Sequence, residues 1–307
     1  MTSSYDAGFD IGGTQIKFGL VDRDGRLVQK GRVRSPEAMP EILAVLEETW
    51  KALKKRAPGP VRSCGFGIAG FYSIKERKIL QSPNYPGLNG YPILPALRKF
   101  IEVPVRIGND ANMAAFGEFR HGAGRGVRSL VLLTVGTGIG GGIILDGQLW
   151  EGEGGYAGEL GHITVNPEGE PCGCGRRGCL ETEASAPRMV RNYQALTGRT
   201  DITDSKEIYL LAKAGDPAAL ASFRKLAYWL GIGIGIVITA LDPEKVLIGG
   251  GVVSAGRLLL DPVVEEARRW SHPIPFAGCR VEKAALGNNA GLVGAAAWAR
   301  LKAGHRG

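Results

Sequence analysis

One short pattern occurs twice in this chain of 307 residues, and it constrains the fold more than any other feature. An apolar run from Tyr5 to Asp10 leads into Ile11-Gly12-Gly13-Thr14, a second apolar run from Ile16 to Val21, and an acidic turn at Asp22. About 124 residues later, Leu130 to Val135 leads into Gly136-Thr137-Gly138-Ile139-Gly140-Gly141-Gly142, then Ile143 to Leu145 and Asp146-Gly147. Asp10 falls opposite Thr134, Gly12 opposite Gly136, and Asp22 opposite Asp146. Each copy reads as a β-hairpin with a backbone-rich turn, and the order recurs in full, as an internal duplication requires. With 44% hydrophobic and 22% charged residues the chain has material for two cores, so two domains with a cleft between them follow.

The rest of the chain fits an α/β reading. Leu27 to Val33 is a third strand, and Pro40 to Arg56 carries apolar residues at helical spacing (Ile42, Val45, Leu46, Trp50, Leu53). Ser63 to Ala69 reads as a buried strand. Val103 to Ile107 reads as another, ending at Gly108-Asn109-Asp110 before a helix from Ala111 to Phe119. The last third gives a helix (Pro217 to Leu241), a strand (Lys245 to Ile248), Gly249-Gly250-Gly251, a helix (Leu258 to Trp270) and an alanine-rich helix (Ala290 to Lys302). The longest apolar stretch, Leu226 to Leu241, is sixteen residues, short of a membrane span, and its Gly231, Gly233 and Gly235 suit a closely packed buried helix. No membrane partner is therefore expected. The formal charge of +8 is spread over short Lys/Arg groups, which predicts a solvated basic surface rather than a nucleic-acid site. Nothing at the N-terminus resembles a signal peptide, so the cytoplasm is the expected compartment.

Between Glu159 and Glu181 the chain reads ELGHITVNPEGEPCGCGRRGCLE, a histidine ten residues ahead of C-x-C-x4-C. His162, Cys172, Cys174 and Cys179 offer four N/S donors, the set a tetrahedral Zn²⁺ takes, and the intervening glycines permit a tight loop. The competing reading is free or oxidised thiols, but three cysteines cannot pair off. Four protein ligands close the metal to water, so a zinc here is structural. Glu159 and Glu181, polar residues of a glycine-rich loop, would be held rigid beside it, where carboxylates can accept hydrogen bonds from vicinal diols.

No G-x-x-x-x-G-K-[ST] run is present. Gly136, Gly138 and Gly141 satisfy G-x-G-x-x-G, but they lead into a strand, whereas a dinucleotide fingerprint must open a helix. Each glycine turn alone could be a plain hairpin turn. As a pair, with Gly249-Gly250-Gly251 as a third close approach, they suit the phosphates of a nucleotide. Asp10 is either a turn cap or a carboxylate holding Mg²⁺ through water. Asp110 is either the N-cap of the helix at Ala111 or a carboxylate in the crevice at a strand's carboxyl end.

The segments FDIGGTQIKFGLVD, GNDANMAAFGE, TVGTGIGGGI, ELGH, CGCGRRGCLE and IGGGV, in that order over nearly the whole chain, resemble the ROK group of sugar kinases and transcriptional repressors. The resemblance implies a duplicated, ribonuclease-H-like and actin-like α/β fold that binds ATP and a hexose between two domains. Those domains would be residues 1–108 with 291–307, and residues 109–290, the latter carrying the zinc loop. Asp110 matches the catalytic base. Asn109, Glu159, His162 and Glu181 match sugar-binding positions, with Gly70 and Asn84 as further sugar contacts from the small domain. His162 would put one ring nitrogen on zinc and the other on a sugar hydroxyl.

Asp10 belongs to the first phosphate motif with Gly12, Gly13 and Thr14. Gly136, Thr137 and Gly138 match the second, and Gly250, Gly251 and Val252 the adenosine side. The resemblance thus implies ATP, Mg²⁺ and structural Zn²⁺, with a homodimer or homotetramer as the expected assembly. Gln15 departs from a frequent lysine, with Lys17 as a substitute cation, Glu183 departs from a frequent aromatic, and Asn288-Asn289 from acidic residues. NDANMAAFGE and CLETEAS favour glucose over amino sugars, whose acetamido pocket would involve Ser82 to Tyr91. Family repressors place a helix-turn-helix domain ahead of the first motif, and nine residues precede Asp10 here, so an enzyme is expected.

Overall fold

Each hairpin forms and seeds a five-stranded sheet. In the computed structural model, which describes residues 4–83 and 85–303, the first half runs β1 (Tyr5–Ile11), β2 (Gln15–Val21), β3 (Leu27–Arg34), α1 (Met39–Lys55), β4 (Val61–Ile68), β5 (Phe71–Ser73), β6 (Lys78–Gln81), α2 (Ile93–Leu97), β7 (Val105–Asn109) and α3 (Asp110–His121). The second half runs β8 (Leu130–Val135), β9 (Ile139–Leu145), β10 (Gln148–Leu149), α4 (Leu180–Ala184), α5 (Ala186–Thr197), α6 (Ser205–Lys213), α7 (Pro217–Leu241), β11 (Lys245–Gly249), α8 (Arg257–Trp270), α9 (Pro273–Gly278), β12 (Arg280–Lys283) and α10 (Ala290–Ala303).

The sheets are ordered β3-β2-β1-β4-β7 and β10-β9-β8-β11-β12, the same order in each half. In both, the opening hairpin is antiparallel and the two later strands join parallel to the first. The duplication read from two short motifs is therefore carried by the whole topology. Ile11 pairs with Ile16, whereas Val135 pairs with Ile139, so the second turn is one residue tighter. As a result Gly140, Gly141 and Gly142 do not belong to the turn. They lie inside β9, where the missing side chains let α3 come close, with Ala111 and Ala115 seated on Gly140 and Gly142.

The helices that follow the two sheets cross over. The one after the first sheet, α3, packs on β9 and β8, while the one after the second, α10, packs on β1 and β4, and the two helices pack on each other. This exchange joins the halves through a shared apolar layer that includes Met113, Phe116, Leu132, Leu247 and Ala295. The first sheet keeps its own core with α1 and α2 (Phe9, Ile42, Leu46, Trp50, Phe66), and the second with α4 to α8. Among the described residues α7 is the one helix long and apolar enough to cross a membrane. It is instead packed within the second core, with Leu226, Leu230, Ile234 and Ile238 all buried.

Both glycine turns, the end of β7 and the end of β11 lie at carboxyl ends of strands, where parallel sheets leave a crevice. The short hairpin β5–β6, the 3₁₀ turns and the five-residue α4 are too short to carry a periodic signal in the sequence.

Candidate active site

At the end of β7 the chain turns directly into α3. Asn109 has extended backbone angles, and its Oδ1 accepts the N–H groups of Ala111 at 2.9 Å and Asn112 at 3.1 Å, which makes Asn109 the N-cap. Asp110 is thus not the cap but the first helical residue, with its carboxylate at the positive end of α3, where Oδ1 also accepts the Ala111 N–H at 2.9 Å. Asn109 Nδ2 donates to the Gly70 carbonyl at 3.3 Å, so Gly70, Asn109 and Asp110 form one contact series. Burial pushes the Asp110 carboxyl up to about 6, and the negative charge of Asp10 adds to the shift.

Facing it is the wall built by the cysteine loop. Glu159 leads into a 3₁₀ turn at Leu160–His162, which leaves its Oε2 4.0 Å from His162 Nε2. The other ring nitrogen, Nδ1, faces Cys172 Sγ at 3.6 Å, and Cys174 Sγ lies 3.6 Å from Cys179 Sγ. All four donor atoms lie within 4.8 Å of one another. A tetrahedron with Zn–S bonds of ~2.3 Å has edges of about 3.8 Å, so this donor set fits a zinc ion. The loop is tied by Arg176, whose side chain donates to the His162 carbonyl at 2.8 Å and whose own carbonyl accepts the Cys172 N–H at 2.7 Å. Burial pushes Glu159 up to about 7, with the charges of Asp110 and Glu181 contributing, so both carboxylates lie near enough to act on Glu159.

Glu181 departs from the loop placement expected of it: it stands in the first turn of α4. Its Oε2 accepts the Ile139 N–H at 2.9 Å, which clamps the second glycine turn to the metal loop. The Gly136 carbonyl accepts the Ala186 N–H at 2.9 Å, fixing the same turn to the start of α5, and Thr137 is exposed at its tip. In the first turn Gly13 and Thr14 are exposed. The Gly12 carbonyl is held by two hydroxyls, Ser35 Oγ at 2.7 Å and Tyr85 at 2.6 Å. Neither residue stands out in the sequence, since a hydroxyl aimed at a distant carbonyl leaves no local pattern.

Asp10 is ion-paired with Lys17 at 3.0 Å, and Lys17 also donates to the Asn288 carbonyl at 3.3 Å. Asp10 lies near enough for its charge to act on Asp110, and a carboxylate so placed fits a hydrated Mg²⁺ beside phosphate. Gly250 has a left-handed φ of 88° and backs onto Val135, and Val252 is buried in the second core. Of that segment Gly250 and Gly251 are exposed. Glu183, at a position where the family often has an aromatic, is buried and meets Arg188 at 3.4 Å and Asn166 Nδ2 at 3.0 Å. Asn84 lies outside the described residues.

One cleft therefore brings together a base-like carboxylate at a helix N-terminus, two further carboxylates beside a metal-type cluster, and two backbone turns of phosphate size. The family model described as ROK family matches residues 6–302. A glucokinase of Halalkalibacterium halodurans is 37% identical, with 96% of this chain and 94% of that protein covered. An N-acetylmannosamine kinase of Haemophilus influenzae is 31% identical, covering 95% of this chain and 94% of that protein. The crystal structure of a ROK family glucokinase from Streptomyces griseus in complex with glucose and AMPPNP superposes with a TM-score of 0.84 at 37% identity, over 97% of this chain and 99% of that one.

Proposed function

The chain belongs to the ROK family, with the actin-like fold of its structural relatives, and from that premise we propose that it phosphorylates glucose to glucose 6-phosphate at the expense of ATP. The chain is a sugar kinase of carbohydrate metabolism. The observation that carries the reading is Asp110 at the end of β7, facing Glu159 and Glu181 across a cleft flanked by two glycine turns.

Asp110 takes the proton from the sugar 6-hydroxyl as its oxygen attacks the γ-phosphorus of ATP. The bond to the bridging β,γ-oxygen breaks, and ADP leaves with that electron pair. Asn109, Glu159, His162 and Glu181 hold the sugar hydroxyls, with Gly70 and Asn84 completing the pocket from the small domain. Gly13 and Thr14 on one side, and Thr137 and Gly138 on the other, offer backbone N–H groups to the phosphates, while the N–H groups of Gly12 and Gly136 close their own turns on Gln15 and Gly138. Gly250, Gly251 and Val252 form the adenosine side, with Val252 acting from beneath as a packed floor.

His162, Cys172, Cys174 and Cys179 would hold a structural zinc, which supplies rigidity to the sugar wall. Asp10 would hold Mg²⁺ through water, and that cation supplies charge neutralisation on the phosphates. With Nδ1 turned to the cysteines, His162 keeps Nε2 for Glu159 and a sugar hydroxyl. The small domain comprises residues 1–108 with 291–307, and the large domain residues 109–290. The enzyme works in the cytoplasm at the head of glycolysis, as a homodimer or homotetramer, without nucleic-acid or membrane partners.

A second reading, N-acetylmannosamine kinase, is favoured by the 31% identical relative. One coupled assay of ADP release over glucose, mannose, fructose, N-acetylglucosamine and N-acetylmannosamine decides between them. We expect glucose to give the highest kcat/KM. N-acetylmannosamine in first place would install the second reading, and no sugar-dependent ADP release would overturn both.

A further inference from the structure

Away from the catalytic cleft, a cavity of about 310 Å³ opens where the β5–β6 hairpin, α2, β7 and α10 meet. None of the residues assigned above to sugar, phosphate or metal lines it. Its polar lining is Tyr72, Arg77, Arg98, Arg106 and Glu151, with Trp298 closing one side. Three guanidiniums stand against one carboxylate, a surplus of two positive charges in a space whose other walls are Ile74, Leu94, Val105 and Ile107.

The three arginines converge. Burial pushes the Tyr72 phenol up, and Arg77, Arg98 and Arg106 each pull it back, so all three guanidiniums act on a single hydroxyl. Arg106 is anchored, with its guanidinium 5.2 Å from the centre of the Trp298 ring, and burial lowers its pKa while Glu151 supports its charge. Arg77 and Arg98 are exposed at the rim. Arg77 also holds a left-handed φ of 56°, a conformation a glycine would take at less cost.

We propose that this cavity is a binding site for a phosphate monoester of a small polyol, a sugar phosphate in chemical class. Planar guanidinium forks from two elements match the oxygens of a phosphate, and they bind it more tightly than point charges of equal number. The Tyr72 hydroxyl and the Glu151 carboxylate line the same cavity beside its apolar walls, groups of the kind that meet polyol hydroxyls. The proposal uses no residue of the phosphoryl-transfer reading and stands independently of it.

The test is calorimetric titration of glucose 6-phosphate, and separately of inorganic phosphate, into protein whose cleft is saturated with glucose and AMPPNP. The same titrations are run on an R77Q/R98Q double variant. Wild type should bind one glucose 6-phosphate per chain, more weakly as salt is raised, and the variant should bind about tenfold or more weakly while keeping wild-type turnover. No binding to the saturated protein, or equal affinity in the variant, would overturn the site. Equal affinity for inorganic phosphate and glucose 6-phosphate would overturn the polyol part and leave an inorganic-phosphate site. Comparison with neutral glucose in place of the ester controls for leakage into the cleft, and failure of the glucokinase reading shows instead as missing ADP release.

Discussion

Asp110 owes its chemistry to its position one residue inside a helix whose cap is its neighbour. Because Asn109 caps the N–H groups of Ala111 and Asn112, and Asp110 shares only the first of them through Oδ1, the Asp110 carboxylate is not needed as the cap. Asp110→Asn should lower turnover by about 10²- to 10⁴-fold, the usual contribution of a general base, while glucose affinity from equilibrium titration changes little. A variant with near wild-type turnover would remove Asp110 from that role. With Asp110 at about 6 and Glu159 at about 7, both carboxyls lose their protons between pH 5 and 8. A base must be ionised to act, so kcat/KM should rise across that interval and then level, with apparent pKa values that belong to the coupled groups. A profile flat from pH 5 to 8 would contradict the assignment. The sequence leaves cap and crevice readings of Asp110 equal, because the extended backbone of Asn109 that decides between them is not a property of composition or spacing.

At the scale of elements, α3 and the metal loop are the parts that hold the cleft in shape. Glu118, in the last turns of α3, is fully buried, and its carboxylate accepts three backbone N–H groups: Ala123 at 2.9 Å, Ala285 at 3.0 Å and Leu286 at 2.6 Å. It staples α3 to the segment that leads into α10. Glu118→Ala removes the shared acceptor of three part-buried N–H groups, so stability should fall by about 2 kcal/mol, read from the urea midpoint at unchanged slope. This carboxylate sits within the NDANMAAFGE motif, yet nothing in its spacing separates a structural staple from a catalytic acid. The cysteine loop is different, because one histidine and three cysteines at short spacing show their donor types directly in the sequence. Cys174→Ser should drop zinc from about one per chain to near zero by elemental analysis and raise the KM for glucose roughly 10- to 100-fold, through the loss of an anchored His162. Intact glucose affinity in the zinc-free variant would break the proposed coupling.

The whole molecule stores the cost of its cleft as a pH-dependent stability. The folded values of Asp110 and Glu159 lie above their ordinary ones, so each favours folding below about pH 4, and that contribution is lost as pH rises through 6 and 7. In the absence of ligand, Asp110→Asn should therefore melt higher than wild type at pH 8, by on the order of 1–2 kcal/mol, with the gap closing toward pH 4. Melting curves of both proteins across that range check the sign. What the sequence determined alone was local: two hairpins with the same turn chemistry, the amphipathic period of α1, the apolar run of α7, and the ligand types of the cysteine loop. These depend on neighbours in the chain, so they leave a readable pattern. The tertiary structure decided how distant parts meet, from the exchange of α3 and α10 between sheets to the approach of Asp110, Glu159 and Glu181 and the gathering of Arg77, Arg98 and Arg106 around one cavity. Such encounters follow from strand order and helix packing, which act between segments far apart in sequence and so leave no period in any one of them.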